Sequence, residues 1–258
     1  MNSSRRDQIR ELLCNRPFIS FDELHEMFPG VSNMTLRRDI EYFEEQSEAI
    51  KVRGGARSMK FITTCMEGKF SLRMNENTPA KQKIASVALS LIETERSVFL
   101  DSGTTIFQLA ATMPDERLVV TTTGPNIALE LIKKKLPIVN LVGGMLNRDS
   151  ISVSGNNATK FLADINIDVA FIVPSGASAE TGFTCGNYAE CEFKRQVIEK
   201  ARRTVILADH SKFGRTLPYT FAEFGMVDTI ITDRAVSGDI ADAAKRAGTQ
   251  IIAADIGE

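Results

Sequence analysis

Two hydrophobic rhythms divide the chain. Through residue 57 the apolar positions recur every three or four residues, the spacing of a buried helix face. Ile9, Leu12 and Leu13 make one such stripe, on a helix that starts near Ser4. Ser20 and Glu23 form an S-x-x-E capping box; Leu24, Met27 and Phe28 follow at helical spacing until Pro29-Gly30 stops the helix. Ser32 is the N-cap of a third helix, whose stripe is Leu36, Ile40 and Phe43. The rhythm then changes to alternation, Ile50-Lys51-Val52-Arg53, which runs into Gly54-Gly55 and predicts a small β-hairpin.

From residue 80, short β-branched and apolar runs alternate with helical patterns. The runs Val98–Leu100, Leu118–Thr121, Ile138–Val142, Val169–Val173, Val205–Ala208, Thr229–Thr232 and Gln250–Ala253 are predicted strands. Between them lie predicted helices at Lys81–Ile92, Thr105–Thr112, Asn126–Lys134, Ala158–Ala163, Ala189–Ala201 and Ser237–Ala247. This alternation predicts an α/β fold with a doubly wound, mostly parallel sheet. Residues 58–79 are weakly periodic, and Asn75-Glu76-Asn77-Thr78-Pro79 reads as a break. The expected organisation is therefore a helical and hairpin domain over 1–57, a linker with an extended segment over 58–79, and a sheet domain over 80–258.

Composition narrows the class. Of the 258 residues, 43% are hydrophobic and 25% charged, ordinary for a soluble globular chain. The sequence holds no apolar run of about 18 residues, and the polar N-terminus MNSSRRDQIRELL has no signal-peptide core, so a cytoplasmic protein with no membrane partner is expected. Cys14, Cys65, Cys185 and Cys191 form no C-x-x-C pair, and His25 and His210 lack partners at metal-ligand spacing. Reduced thiols and no metal site are expected. G-x-G-x-x-G and G-x-x-x-x-G-K-[ST] are both missing from the sequence, so no dinucleotide or nucleotide cofactor is expected.

The net charge of −2 does not announce nucleic-acid binding, and residues 1–60 balance ten Lys/Arg against ten Asp/Glu. Placement decides more than total. Lys51, Arg53, Arg57 and Lys60 fall within residues 51–60 with no acid among them. Off its apolar stripe, the third helix carries Ser32, Asn33, Thr35, Arg37 and Arg38 near its start, the hydrogen-bonding and cationic set that reads base edges in a major groove. Lys51 and Arg53 on the hairpin would meet phosphates. Asp39, Glu41, Glu44 and Glu45, later on the same helix, would repel DNA unless that end points away.

Ligands of doubly wound sheets bind at the carboxyl ends of the strands. There the sequence places Asp101-Ser102-Gly103-Thr104-Thr105, Thr121-Thr122-Thr123-Gly124, Gly143-Gly144, Pro174-Ser175-Gly176, Asp209-His210-Ser211-Lys212 and Asp233. Small residues let a ligand approach the backbone. Helix N–H groups and Lys212 suit a phosphate, and Asp101 with the hydroxyls suits sugar hydroxyls, so the set fits a phosphorylated polyol.

The stretch V-S-N-M-T-L-R-R-D-I (Val31–Ile40) followed by V-R-G-G-A (Val52–Ala56) resembles the winged helix-turn-helix of the DeoR family of bacterial transcriptional regulators. F-L-D-S-G-T-T (99–105), V-G-G (142–144), D-V-A-F-I (168–172), L-A-D-H-S-K-F-G (207–214) and I-I-T-D (230–233) resemble its effector domain, a fold related to ribose-5-phosphate isomerase and glucosamine-6-phosphate deaminase. The resemblance implies that Ser102, Gly103, Thr104 and Thr105 hold an effector phosphate while Asp101, Gly143, Gly144 and Lys212 line the pocket. It also carries over Glu192 and Lys194, in E-C-E-F-K, to the pocket mouth. Two departures stand out. Arg53 replaces the usual His of the wing, which keeps a donor and adds a permanent charge. The family's V-T-N after the second strand is here Val120-Thr121-Thr122, so Thr122 lacks an amide fork and the effector differs accordingly.

The resemblance implies a regulator that binds a double-stranded DNA operator as a homo-oligomer and represses sugar catabolic genes until a phosphorylated sugar relieves it. The alternative is a sugar-phosphate isomerase or deaminase carrying a DNA-binding module. Such isomerases carry paired aspartates in D-G-A-D, whereas Asp168-Val169-Ala170-Phe171 has no second aspartate; the expected protein is not an enzyme.

Overall fold

The computed structural model describes residues 5–16, 18–46, 48–58, 68–236 and 238–254. Ser4, Lys60, Cys65 and Ser237, used in the expectations above, lie outside the described residues. The chain divides into two units, residues 1–66 and 67–258.

In the first unit, α1 (Arg5–Asn15), α2 (Phe21–Met27) and α3 (Asn33–Glu45) occupy the three expected helical stretches. The capping box of α2 is formed: the Ser20 hydroxyl accepts from the Glu23 N–H, and the Glu23 carboxylate accepts from the Ser20 N–H. Ile9, Leu13, Leu24, Leu36, Ile40 and Phe43 close one buried core. The hairpin is β2 (Ala49–Val52) and β3 (Gly55–Ser58), and a strand the sequence pattern missed, β1 (Phe18–Ser20), pairs antiparallel with β3. At three residues, β1 is too short to show a period of two. The turn is Arg53-Gly54, not Gly54-Gly55, and the two glycines serve different ends. Gly54, at φ 88°, supplies the left-handed residue of the turn. A Cβ on Gly55 would lie 2.1 Å from the Ile19 carbonyl oxygen, so Gly55 admits β1.

The second unit opens earlier than expected. Residues 70–79, expected within the linker and extended segment, instead hold α4 (Phe70–Asn75) and the start of α5 (Thr78–Leu89). Asn77, at φ 50°, makes the break between them. The short amphipathic turn of α4 was obscured by the polar residues around it.

All seven expected strands form one sheet, in the order β15-β14-β12-β9-β4-β5-β6, and every pairing in it is parallel. These strands are β4 (Ser97–Leu100), β5 (Val119–Thr122), β6 (Ile138–Leu141), β9 (Ile167–Ile172), β12 (Ala201–Leu207), β14 (Thr229–Thr232) and β15 (Gln250–Ala253). Their side chains alternate between two cores. Val98, Leu100, Phe171, Val205, Leu207 and Ile231 face α5, α6 (Thr104–Thr112) and α7 (Pro125–Leu131). Phe99, Ala170, Ile172, Ile206 and Ile230 face α8 (Asn156–Leu162), α9 (Tyr188–Lys200) and α10 (Asp239–Ala247). Burial on both faces explains why the interior strands β4, β9, β12 and β14 read as continuous apolar runs. The sequence pattern missed a hairpin of β7 (Met145–Asn147) and β8 (Ser152–Ser154), and an antiparallel sheet of β10 (Gly176–Ser178), β11 (Gly182–Cys185) and β13 (Tyr219–Ala222). These strands of three and four residues do not sit in the strand–helix alternation, and β8, β10 and β11 carry Gly or Ser in place of an apolar run.

Among the described residues no helix is long and apolar enough to cross a membrane, and no group of three or more His, Cys, Asp or Glu could hold a metal ion. Gly55→Ala in the full chain should destabilise the first unit by about 1–3 kcal/mol or more, the range of overpacking. Gly54→Asn should cost less, because Asn tolerates the left-handed region. Thermal melts of the two variants check this, and equal losses would contradict the separate roles.

Candidate functional site

The first unit turns one face of α3 outward. Asn33, Met34, Arg37 and Arg38 are exposed, Thr35 is half-buried, and Leu36, Ile40 and Phe43 point inward. Ser32 and Thr35 are joined at the helix start: the Ser32 hydroxyl accepts the Thr35 N–H at 3.2 Å and lies 3.0 Å from the Thr35 hydroxyl. The Arg37 guanidinium lies 5.7 Å from the centre of the Phe21 ring, which steadies a long side chain at the surface.

Asp39, Glu41 and Glu44 of α3 find partners within the unit. Asp39 is buried and takes Arg5 at 2.6 Å and Arg6 at 2.9 Å from α1. Burial pushes its carboxyl up, but the bonds and charges of Arg5 and Arg6 outweigh this and hold it below the usual range. Glu48, just before β2, accepts Arg10 through both oxygens at 2.7 and 3.0 Å. Lys51 reaches back to Glu41 at 2.6 Å, and its N–H donates to Glu44 at 3.0 Å. Lys51 therefore ties the wing to α3. Arg53 at the hairpin turn and Arg57 on β3 are exposed beside it. The role of Arg5, Arg6 and Arg10 escaped the sequence reading, because the acids they meet are more than 30 positions away.

In the second unit the strand order reverses between β4 and β9. From β4 the chain moves outward to β5 and β6; from β9 it moves the other way to β12, β14 and β15. The crevice at the carboxyl ends of such a pair is where doubly wound sheets bind ligands. Asp101 sits there, buried, with three donors on its carboxylate. Oδ1 accepts the Ser102 N–H at 2.8 Å; Oδ2 accepts the Val173 N–H at 3.0 Å and the Lys194 ammonium at 2.8 Å. Lys194, 1% exposed on α9, also donates to the Val173 carbonyl at 2.6 Å and pairs with Glu190 at 3.2 Å. Burial pulls the Lys194 ammonium down, but Asp101 and Glu190 outweigh it and hold the proton on.

Asp101 and Lys194 thus meet at the site, as bracing for the crevice. Glu192 does not join them: it pairs with Arg195 at 2.8 Å and keeps 40% of its side chain exposed. Two residues along a helix is a turn of about 200°, so Glu190, not Glu192, shares the face of Lys194. Its i,i+4 spacing to Lys194 was the signal that could have found it.

Ser102, Thr104 and Thr105 are buried around the start of α6. The N-cap is Gly103, with no side-chain cap bond, so the first N–H groups of α6 have no capping side chain. Gly103, at φ 130°, is further required because a Cβ would lie 2.8 Å from the Val173 side chain. On the neighbouring strand, the Thr122 hydroxyl accepts the Gly124 N–H at 3.0 Å and so shapes its own loop. Beyond β6, Gly143 is exposed, and Gly144 is small because a Cβ would lie 2.6 Å from the Ser154 carbonyl oxygen of β8.

Lys212 lies in the 3₁₀ turn His210–Lys212, beyond β12. Asp209 caps this turn through the Ser211 N–H at 3.0 Å and also accepts the Asn77 amide at 3.2 Å. Lys81, in the first turns of α5, is buried and donates to the carbonyls of Arg73 and Glu76. Burial brings its ammonium down to about 8, with Asp209 raising it and Lys212 lowering it further. The sequence pattern places Asn77 in a break and Lys81 at the start of a predicted helix, and neither position carries a signal of a site residue. His210 binds Asp233 twice, N–H to Oδ1 at 2.7 Å and Nδ1 to Oδ2 at 2.8 Å, which joins the ends of β12 and β14. Asp168 lies at the opposite, amino end of the sheet, where it accepts the Ser97 N–H at 3.0 Å and pairs with Arg202 at 3.3 Å. Cys185 and Cys191 are buried thiols, and burial pushes both up. A groove of about 430 Å³, lined by Glu180, Glu223, Phe224 and Arg246, contains none of the expected site residues.

Comparison with known proteins matches residues 5–61 to the DeoR-like helix-turn-helix domain and residues 76–234 to the DeoR C terminal sensor domain. A putative aga operon transcriptional repressor of Escherichia coli O157:H7 is 30% identical over 251 residues, covering 97% of this chain and 93% of that protein. The transcriptional repressor GlcR of Bacillus subtilis is 33% identical, covering 86% and 85%. The glycerol-3-phosphate regulon repressor of Escherichia coli K12 is 29% identical, covering 90% of each. Among solved structures, ribose 5-phosphate isomerase A of Methanocaldococcus jannaschii covers 54% of this chain and 55% of its own, at 16% identity and a TM-score of 0.40.

Lys194→Met should leave Asp101 and Glu190 buried without their cation and cost about 3–5 kcal/mol. Urea unfolding of the full chain measures this. A loss below about 1 kcal/mol would show that the charge cluster does not hold the crevice together.

Proposed function

The chain belongs to the DeoR family of transcriptional regulators, and from that premise we propose that it represses sugar catabolic genes and leaves its operator when a phosphorylated sugar binds at the carboxyl ends of β4 and β5. The observation that carries this reading is the start of α6, where buried Ser102, Thr104 and Thr105 surround a helix N-terminus with no capping side chain. Uncapped N–H groups, hydroxyls and the positive end of the helix dipole suit a phosphate. The relatives named as repressors of the aga operon and of the glycerol-3-phosphate regulon support both the repression and the metabolite class.

On the DNA side, Asn33, Arg37 and Arg38 would read base edges, with Ser32 and Thr35 fixing the start of the helix. Arg53 and Arg57 would meet phosphates, and Lys51 would hold the wing against α3. One short helix and one wing make few base contacts, so two or more copies on repeated half-sites are required for specificity. The open edge of the sheet supports a homo-oligomer. Residues 136–147, LPIVNLVGGMLN, carry no charge, and Leu136, Ile138, Leu141, Met145 and Leu146 are exposed. An uncharged, apolar edge strand left bare is a site of association. Full switching, from about 99% to about 1% bound, requires that the effector prefer the released form by roughly 5.5 kcal/mol.

We place no turnover in this domain. Asp168 is at the wrong end of the strands to attack a bound sugar, which supports sensing rather than isomerisation.

Two variants test the division of labour. Arg37→Ala should weaken operator binding by about 1–3 kcal/mol and leave effector binding unchanged. Thr104→Val should bind operator normally and stay on it when effector is added. Anisotropy titrations of both variants decide the matter: a normal effector response in Thr104→Val would sink the phosphate assignment.

A further inference from the structure

Three buried polar atoms at the end of β5 have no hydrogen-bond partner among the described residues. They are the Thr123 hydroxyl and both ends of the Asn126 amide, Oδ1 and Nδ2. Thr123 is 3% exposed and follows directly on β5, and Asn126 lies in the first turn of α7. The surrounding backbone is engaged. The Thr123 carbonyl accepts the Val153 N–H at 2.8 Å, and the Thr122 carbonyl accepts the Val142 N–H at 3.0 Å. Gly124 leaves room for the amide: a Cβ there would lie 3.3 Å from Asn126 Oδ1 and 2.7 Å from the Ile127 side chain. The loop is thus held in place while its side-chain polar groups stay unanswered.

A buried polar group without a partner costs free energy, so native proteins keep few of them without a use. The place gives the use. Leu100 and Thr122 are register partners on β4 and β5, so Thr123 stands one strand over from the Asp101–Thr105 loop. Neighbouring strands are about 4.8 Å apart, the span of a few carbons of a sugar chain.

The chemistry gives the class. A phosphate dianion only accepts, so it would leave Asn126 Oδ1 unmet. A hydroxyl donates and accepts, and neighbouring hydroxyls can answer Oδ1, Nδ2 and the Thr123 hydroxyl together. We propose that Thr123 and Asn126 form the specificity subsite of the sensor, reading hydroxyls of the effector's carbon chain, while its phosphate sits at the start of α6. This rests on the sensing function proposed above. The subsite also returns to the loop an amide that Thr122 cannot offer, supplied four residues on, from the first turn of α7.

The test uses the full-length protein and the variants Thr123→Val and Asn126→Leu. Thermal melts are run alone, with inorganic phosphate, and with an equimolar pool of glycerol 3-phosphate, ribose 5-phosphate, glucose 6-phosphate, fructose 6-phosphate and fructose 1,6-bisphosphate. Without ligand, each variant should melt at the wild-type temperature or up to about 4 °C higher, because an unanswered polar group has been removed. The stabilisation given by the pool should fall in both variants, corresponding to roughly tenfold weaker binding or more. Inorganic phosphate should move wild type and variants by the same amount, zero included. A lower melting point without ligand would show that these groups have partners in the free protein and overturn the subsite. So would an undiminished pool effect, with the sensor itself still standing, or a phosphate effect lost in the variants alone. No pool effect in the wild type would instead overturn the sensing function, and the subsite with it.

Discussion

The second unit depends on one buried cation. Lys194 carries its charge into the interior, where burial opposes it, and keeps it because Asp101 and Glu190 lie at 2.8 and 3.2 Å. The same ammonium donates to the Val173 carbonyl, while Asp101 accepts the Val173 N–H. The ends of β4 and β9 are therefore fastened at the point where the strand order reverses, beside the backbone bond from the Asp101 N–H to the Phe171 carbonyl at 3.0 Å. A buried ion pair of this kind is a poor source of net stability but a strict one for geometry, since removing either partner strands the other. What it fixes is the start of α6. Ser102 and Gly103 are held against Asp101 and Val173, and the hydroxyls of Thr104 and Thr105 follow.

The first unit solves a related problem at its surface. A helix that meets DNA has to carry cations outward, yet α3 carries acids too. Asp39 is turned inward onto Arg5 and Arg6, and Glu41 is drawn to Lys51. The pairing offsets the charges of Asp39 and Glu41 and at the same time fixes α1, α3 and the wing to one another, so the face carrying Asn33, Arg37 and Arg38 is presented by a braced scaffold. Exposed pairs such as Lys51 with Glu41 contribute little to stability and weaken with salt. Their contribution is to placement.

Much of this was legible in the sequence, and the misses share a cause. Interior strands buried on both faces advertise themselves as apolar runs, and the more exposed edge strands β6 and β15 are also mostly apolar in sequence, so all seven strands of the parallel sheet are legible. The helices of the first unit carried caps and stripes, and Ser20 with Glu23 formed the box their spacing implied. The three-residue strands β1, β7, β8 and β10 and the short helix α4 were unreadable, because their stability comes from the surfaces they dock on. In the site, residue types at strand ends pointed to the Asp101–Thr105 loop. Spacing alone could not assign roles: Asp101 proved to hold protein donors, Glu190 stands where Glu192 was expected, and Thr123 and Asn126 matter through what they lack. An unsatisfied atom has no signature in a sequence; it appears only when every neighbour has a position.

The central claim is that a sugar phosphate and operator DNA are read by one chain and that the first weakens the second. The direct measurement is fluorescence anisotropy of a labelled duplex from upstream of this protein's own gene against a scrambled duplex, at about 150 mM salt, with and without a pool of sugar phosphates. The account predicts a preference of about 10³-fold or more for the natural duplex, reduced by the pool. Specific binding that no sugar phosphate alters would contradict it.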